Sequence, residues 1–165
     1  VEYFSTVRSI PDLVVVSPDV GGIKMARAYA KRLEAGLAIV DKRRTSPEST
    51  EVMHILGEVK GRNCLLVDDL IATGSSLMVA ARALQQHGAR AIYAAITHPV
   101  LSGQAMESIA RSPIEELIVA DTIPLSSHKR QAKITVLSVA PLLAEAIRRI
   151  HLEHTISSLF NDVSG

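Results

Sequence analysis

Leu65-Leu66-Val67-Asp68-Asp69-Leu70-Ile71-Ala72-Thr73-Gly74-Ser75-Ser76-Leu77 carries the pattern that points to an α/β architecture. An apolar run meets two adjacent carboxylates, and a Thr-Gly-Ser-Ser turn then leads into the stripe Leu77, Ala81 and Leu84. A run that is apolar at every position reads as a strand buried on both faces, and apolar residues three and four apart read as helix. Strand, tight turn and helix in that order form half of a β-α-β unit, the building block of a parallel sheet.

Similar runs recur on either side, at 13–17, 37–41, 64–68, 91–96, 117–120 and 134–139. Ile23, Ala26, Ala30 and Leu33 share one helical face, and Leu143, Ile147 and Ile150 another, with Arg148, Arg149, His151 and His154 mainly off that stripe. Gly36 and Gly88 stand where C-terminal helix caps are expected. The stretch 43–50, charged, polar and containing Pro47, reads as an exposed loop. This alternation predicts one α/β domain over residues 1–165: a mainly parallel sheet with helices on both faces.

Composition agrees. The chain is 47% apolar and 21% charged over 165 residues, too apolar for a disordered segment. Two Phe, three Tyr and no Trp leave the core to Val, Ile, Leu and Ala. Eighteen basic and seventeen acidic residues give a formal charge of +1, so neither a nucleic acid nor a membrane surface is expected as partner. A single cysteine, Cys64, allows no internal disulfide and reads as a packed thiol in a reducing, cytoplasmic setting. No apolar run approaches the ~18 residues of a membrane span. The start, Val1-Glu2-Tyr3-Phe4, is no signal peptide and lacks an initiator Met, so the chain is expected to begin inside a longer protein.

Ligands of open α/β sheets bind beyond the carboxyl ends of strands. Three such ends carry chemistry here: Ser17-Pro18-Asp19-Val20-Gly21-Gly22, Asp41-Lys42-Arg43-Arg44, and Asp68-Asp69 with the turn that follows. Gly74 permits a tight turn, Thr73, Ser75 and Ser76 offer hydroxyls, and a new helix adds free N–H groups with a positive dipole end. Together they make a phosphate cradle. Asp68 and Asp69 cannot grip phosphate but suit sugar hydroxyls, which donate to ionised carboxylates. A phosphate site beside a diol site describes a ribose 5-phosphate. The competing reading is that Ser75 or Ser76 merely caps the helix and that the diacid is a solvated strand end. His54, His87, His98, His128, His151 and His154 show no zinc-ligand spacing and read as structural or solvated.

Residues 68–76 resemble the phosphoribosyl-pyrophosphate loop of type I phosphoribosyltransferase folds. The rest of the chain is similar, in order and from about Leu13 to Phe160, to the ribose-phosphate pyrophosphokinase (phosphoribosyl pyrophosphate synthetase) family. That similarity includes residues 14–22, Asp41-Lys42-Arg43-Arg44, Thr97-His98-Pro99-Val100-Leu101-Ser102-Gly103, the segments 112–117 and 137–147, and Ser157-Ser158-Leu159-Phe160. The family transfers a diphosphoryl group from ATP to ribose 5-phosphate with Mg²⁺. The resemblance implies that Asp68 and Asp69 hold the ribose hydroxyls, and that Thr73, Gly74, Ser75 and Ser76 hold the 5-phosphate. It implies too that Lys42 and Arg44 stabilise the transferring phosphates from a mobile loop, that Gly21 and Gly22 admit the diphosphoryl group, and that Asp19 helps bind Mg²⁺. Unaided, Lys42-Arg43-Arg44 reads as a solvated charge run and Asp19 as a turn residue.

Two departures shape the expectation. Ala72 stands where many family members carry a third acidic residue, which puts the catalytic rate in doubt while leaving ribose-phosphate binding intact. The similarity also covers only the C-terminal half of a two-domain enzyme, whose other half holds much of the ATP site. These 165 residues are therefore expected to bind ribose 5-phosphate and to be inactive alone. A homo-oligomer (a hexamer in the family) containing the N-terminal domain is expected, with apolar surface exposed in that domain's absence. Alternatives are a non-catalytic, synthetase-associated regulatory subunit and a nucleobase phosphoribosyltransferase.

Overall fold

Seven strands hydrogen-bond into one sheet in the computed structural model, which describes residues 1–43, 52–126 and 133–159. They are β1 (Leu13–Ser17), β2 (Gly36–Arg43), β3 (Val52–Leu56), β4 (Asn63–Ile71), β5 (Ala91–Pro99), β6 (Glu116–Ala120) and β7 (Ile134–Leu137). Across the sheet the order is β3-β2-β1-β4-β5-β6-β7, and every neighbouring pair is parallel except β2 with β3. The six strands read from sequence are present. The seventh, β3, was not read from the sequence. The loop reading of 43–50 is corrected only at Arg43, which closes β2 opposite Val52; residues 44–50 lie outside the described residues. A search for continuous apolar runs misses β3 because it is an edge strand. Met53 and Ile55 pack on the core while His54 and Leu56 are exposed, the two-residue alternation of a strand buried on one side.

Five α-helices accompany the sheet among the described residues: α1 (Glu2–Thr6), α2 (Ile23–Arg32), α3 (Ser75–Gln86), α4 (Ala105–Ala110) and α5 (Ala140–His151). Alternation along β4 divides the core in two. Cys64 and Leu66 pack with Leu77, Ala81, Leu84 and Ile109 of α3 and α4, whereas Leu65 and Val67 pack with Phe4, Ala26 and Ala30 of α1 and α2. Among the described residues the interior is mainly aliphatic, and its only aromatic rings are Phe4 and Tyr93.

Gly88 does end α3, in the left-handed region at φ +82°, with Ala89 N–H donating to Leu84 O at 3.0 Å. Gly36 does not end α2. The helix stops at Arg32, so the reversal falls on Glu34 at φ +50°, and Gly36 is already the first residue of β2. The α5 stripe forms a helix, but none of its residues is buried; Leu143, Ile147 and Ile150 are 56%, 68% and 63% exposed. At the amino end of the sheet, Glu116 gathers the N-terminal segment. Its Oε1 accepts from Tyr3 at 3.3 Å and Thr135 at 2.5 Å, and its Oε2 lies 2.9 Å from Arg8 Nε, an ion pair not aligned as a hydrogen bond. Among the described residues no helix is long and apolar enough to cross a membrane.

Candidate functional site

From β1 the chain crosses through α2 to β2 on one side, and from β4 it crosses through α3 to β5 on the other. The loops leaving the carboxyl ends of β1 and β4 therefore part, and such a switch point opens a crevice. A cavity of about 200 Å³ lies there, walled by Asp19 from the first loop and by Asp68, Thr73, Gly74, Ser75 and Ser76 from the second. Ile71 and Ile96 add apolar wall. Sequence reading did not single out these two, since a buried strand Ile carries no sign of which cavity it borders.

Gly74 is the N-cap of α3 and sits at φ +80°. A Cβ there would meet only Ile71, whose Cδ1 would lie 3.5 Å away, so the requirement for glycine is conformational and not steric. No side chain caps α3. Thr73 Oγ1 and Ser75 Oγ instead bond each other at 3.0 Å. The reading of Ser75 or Ser76 as simple caps therefore fails, and the first-turn N–H groups of α3 are left for another acceptor.

The carboxylates are arranged less symmetrically than their adjacency suggests. β4 continues through both and on to Ile71, so the diacid lies within the strand and not at its end. Asp68 is half-buried on the cavity wall, whereas Asp69 is exposed and outside it. Burial pushes the Asp68 carboxyl above its ordinary pKa; the Asp69 N–H, donating to Asp68 Oδ1 at 3.0 Å, opposes this, and the Asp69 and Asp19 charges reinforce it. Asp19 Oδ1 accepts the N–H groups of Gly21 at 2.8 Å and Gly22 at 3.0 Å. Its turn role is thus real, and the two glycine amides already have a protein partner. A Cβ on Gly22 would stand 2.7 Å from Ser17 Oγ, which donates to Asp19 O at 2.6 Å, so close packing requires glycine there.

Lys42 lies in β2, its backbone opposite Met53, while Arg44 falls outside the described residues. A second cavity, of about 140 Å³, shares Asp19, Ser75 and Ser76 with the first and is closed by Val40, Met53 and Val79. The arm carrying Lys42 therefore borders the site. Ser102, whose N–H donates to Ala72 O at 2.9 Å, supports the turn from behind, a contact no local pattern announces.

A family model, the phosphoribosyl synthetase-associated domain, matches residues 43–161. The chain belongs to that family. Members and neighbours agree with the assignment. The chain is 50% identical over 160 residues to a ribose-phosphate pyrophosphokinase from Halalkalibacterium halodurans, covering 97% of this chain and 50% of that protein. The crystal structure of phosphoribosylpyrophosphate synthetase from Mycobacterium smegmatis superposes with a TM-score of 0.79 at 39% identity, over 86% of this chain and 46% of that one. Adenine phosphoribosyltransferase from Thermoanaerobacter pseudethanolicus, 19% identical with a TM-score of 0.54 over 70% of this chain and 72% of that one, shares the fold. This phosphoribosyl synthetase-associated domain thus has the type I phosphoribosyltransferase fold. It spans about half the length of the curated relatives it matches.

Proposed function

We propose that the cavity between β1 and β4 binds ribose 5-phosphate, and that the chain serves the transfer of a diphosphoryl group from ATP to the anomeric hydroxyl, forming phosphoribosyl pyrophosphate and AMP. One observation carries the reading: the uncapped N-terminus of α3, opened by left-handed Gly74, lines the same cavity as the carboxylates of Asp19 and Asp68. The 5-phosphate would sit on the α3 amides with Thr73, Ser75 and Ser76. The ribose hydroxyls would donate to Asp68 on the wall and, past its rim, to Asp69, carboxylates that favour a diol over a second anion. Lys42 and Arg44 would neutralise charge on the transferring phosphates, since phosphoryl transfer is catalysed by positioning and electrostatic stabilisation. At Gly21 and Gly22 a diphosphoryl group would compete with Asp19 for the two amides.

Asp19 has one carboxylate oxygen engaged by the glycine amides, and no group of three or more metal-ligating side chains exists among the described residues. A donor set this small suits a cation that completes its shell with phosphate oxygens and water, as Mg²⁺ does. Asp19 would hold it, and when bound it would offset phosphate charge. We place much of the ATP site in the half of the relatives that this chain does not span, and cytoplasmic homo-oligomeric assembly goes with that reading. The exposed apolar face of α5 supports assembly.

Calorimetric titration with ribose 5-phosphate and Mg²⁺ tests the site. Saturable heat that disappears in the double variant Asp68→Ala/Asp69→Ala is the expected result, and equal binding by both proteins would sink the assignment. Ribose 5-phosphate-dependent AMP release should be close to background for these 165 residues.

A further inference from the structure

Among the described residues, four that are not glycine adopt a left-handed backbone: Asp12, Glu34, Leu101 and Glu153. Three are exposed acidic residues. Leu101, at φ +50°, is instead 1% exposed. A branched side chain in that region is strained, and such strain persists only where the surroundings over-determine it. Here the surroundings include the backbone of the candidate site. Leu101 N–H donates to the Ile71 carbonyl at 3.1 Å, Ser102 N–H donates to the Ala72 carbonyl at 2.9 Å, and the Ser102 hydroxyl reaches that same carbonyl at 3.4 Å. Both acceptors belong to the cavity wall between Asp68 and Gly74.

We infer that the strap Leu101-Ser102 positions the phosphate turn, with Ser102 as a positioning residue for ribose 5-phosphate. Carbonyl oxygens repel an anion. The strap engages those of Ile71 and Ala72, which leaves Gly74 and the α3 amides to present donors. Ala72 has no polar side-chain atom of its own to anchor this stretch, so the restraint comes from the neighbouring strand's loop. The inference rests on the ribose-phosphate reading of the cavity.

The test compares wild type with Ser102→Ala, Ser102→Thr, Gly103→Ala and Ser112→Ala, by calorimetric ribose 5-phosphate affinity and by melting temperature. Gly103→Ala strains the strap at φ +57° with nothing within 4 Å of the new methyl. Ser112→Ala removes a remote buried hydroxyl that donates to Ile109 O at 2.7 Å. Ser102→Ala and Gly103→Ala should each weaken binding about fivefold, the scale of one neutral hydrogen bond. Ser102→Thr should restore it, and Ser112→Ala should melt earlier with affinity unchanged. Wild-type affinity in Ser102→Ala, or an affinity loss in Ser112→Ala matching its loss of stability, overturns the inference. Should wild type itself not bind, the ribose-phosphate reading fails. Amide exchange of residues 72–76 then decides: acceleration in Ser102→Ala supports the strap, and unchanged exchange refutes it.

Discussion

Gly74→Ala probes the turn at its most constrained point. The added methyl would meet Ile71 Cδ1 at 3.5 Å, an ordinary contact, so sterics contribute little. The cost is that of holding an L-residue at φ +80°, roughly 1–2 kcal/mol. For a chain of this size each kcal/mol moves the melting temperature by ~2–4 °C, so the variant should melt about 2–8 °C lower. If the turn relaxes to relieve that strain, the α3 amides leave their line with the phosphate. Losing one charge-assisted hydrogen bond should weaken ribose 5-phosphate about 10–100-fold. Gly61→Ala supplies the control. It imposes the same kind of strain at φ +70° with nothing within 4 Å of the new methyl, at a turn outside the cavity. Both proteins should lose similar stability by circular dichroism melting, and only Gly74→Ala should lose affinity by calorimetry. Equal affinity in the two variants would refute the cradle, and an unchanged melting temperature in both would refute the strain argument.

Three further outcomes follow from named residues. The Asp68 pKa lies above its unfolded value, so the native state binds the extra proton, and stability is lost as pH rises through the raised pKa. Asp68→Asn should thus be more stable than wild type at pH 7 in urea titrations, an advantage that vanishes near pH 3, while ribose 5-phosphate binding is lost. Cys64 is fully buried and its thiol is pushed up to about 11, so a disulfide reagent at pH 8 should label native protein about a hundredfold more slowly than urea-unfolded protein. Glu116→Gln weakens the Tyr3, Thr135 and Arg8 contacts at the amino end of the sheet; it should cost about 1–3 kcal/mol by thermal melting and leave ribose 5-phosphate affinity at the wild-type value.

Much of this was legible in the chain itself, for a physical reason. Strands buried on both faces must be apolar at every position, so β1, β4, β5 and β6 announce themselves. A turn that needs φ > 0 before a helix demands Gly74, and hydroxyl residues around it mark a polar cavity. What sequence reading missed depends on neighbours. β3 is buried on one side only, because β2 and α3 happen to lie there. α4, six residues long, is too short to show a period. The reversal after α2 falls on Glu34, because the helix ends at Arg32 before a glycine is reached.

Six of the seven strands in their order, a core of aliphatic side chains under helices, and the glycine turn that opens α3 were legible in the sequence, since each follows from local residue choice. Tertiary structure decided how the three strand ends converge. The switch point between β1 and β4 sets Asp19 across from Asp68, yet Asp19 spends one oxygen on Gly21 and Gly22, and Asp69 falls outside the wall. It also recruited Leu101 and Ser102, some thirty residues downstream, to hold the turn. Such contacts join residues distant in the chain through backbone groups that every residue carries, so no side-chain pattern could reveal them.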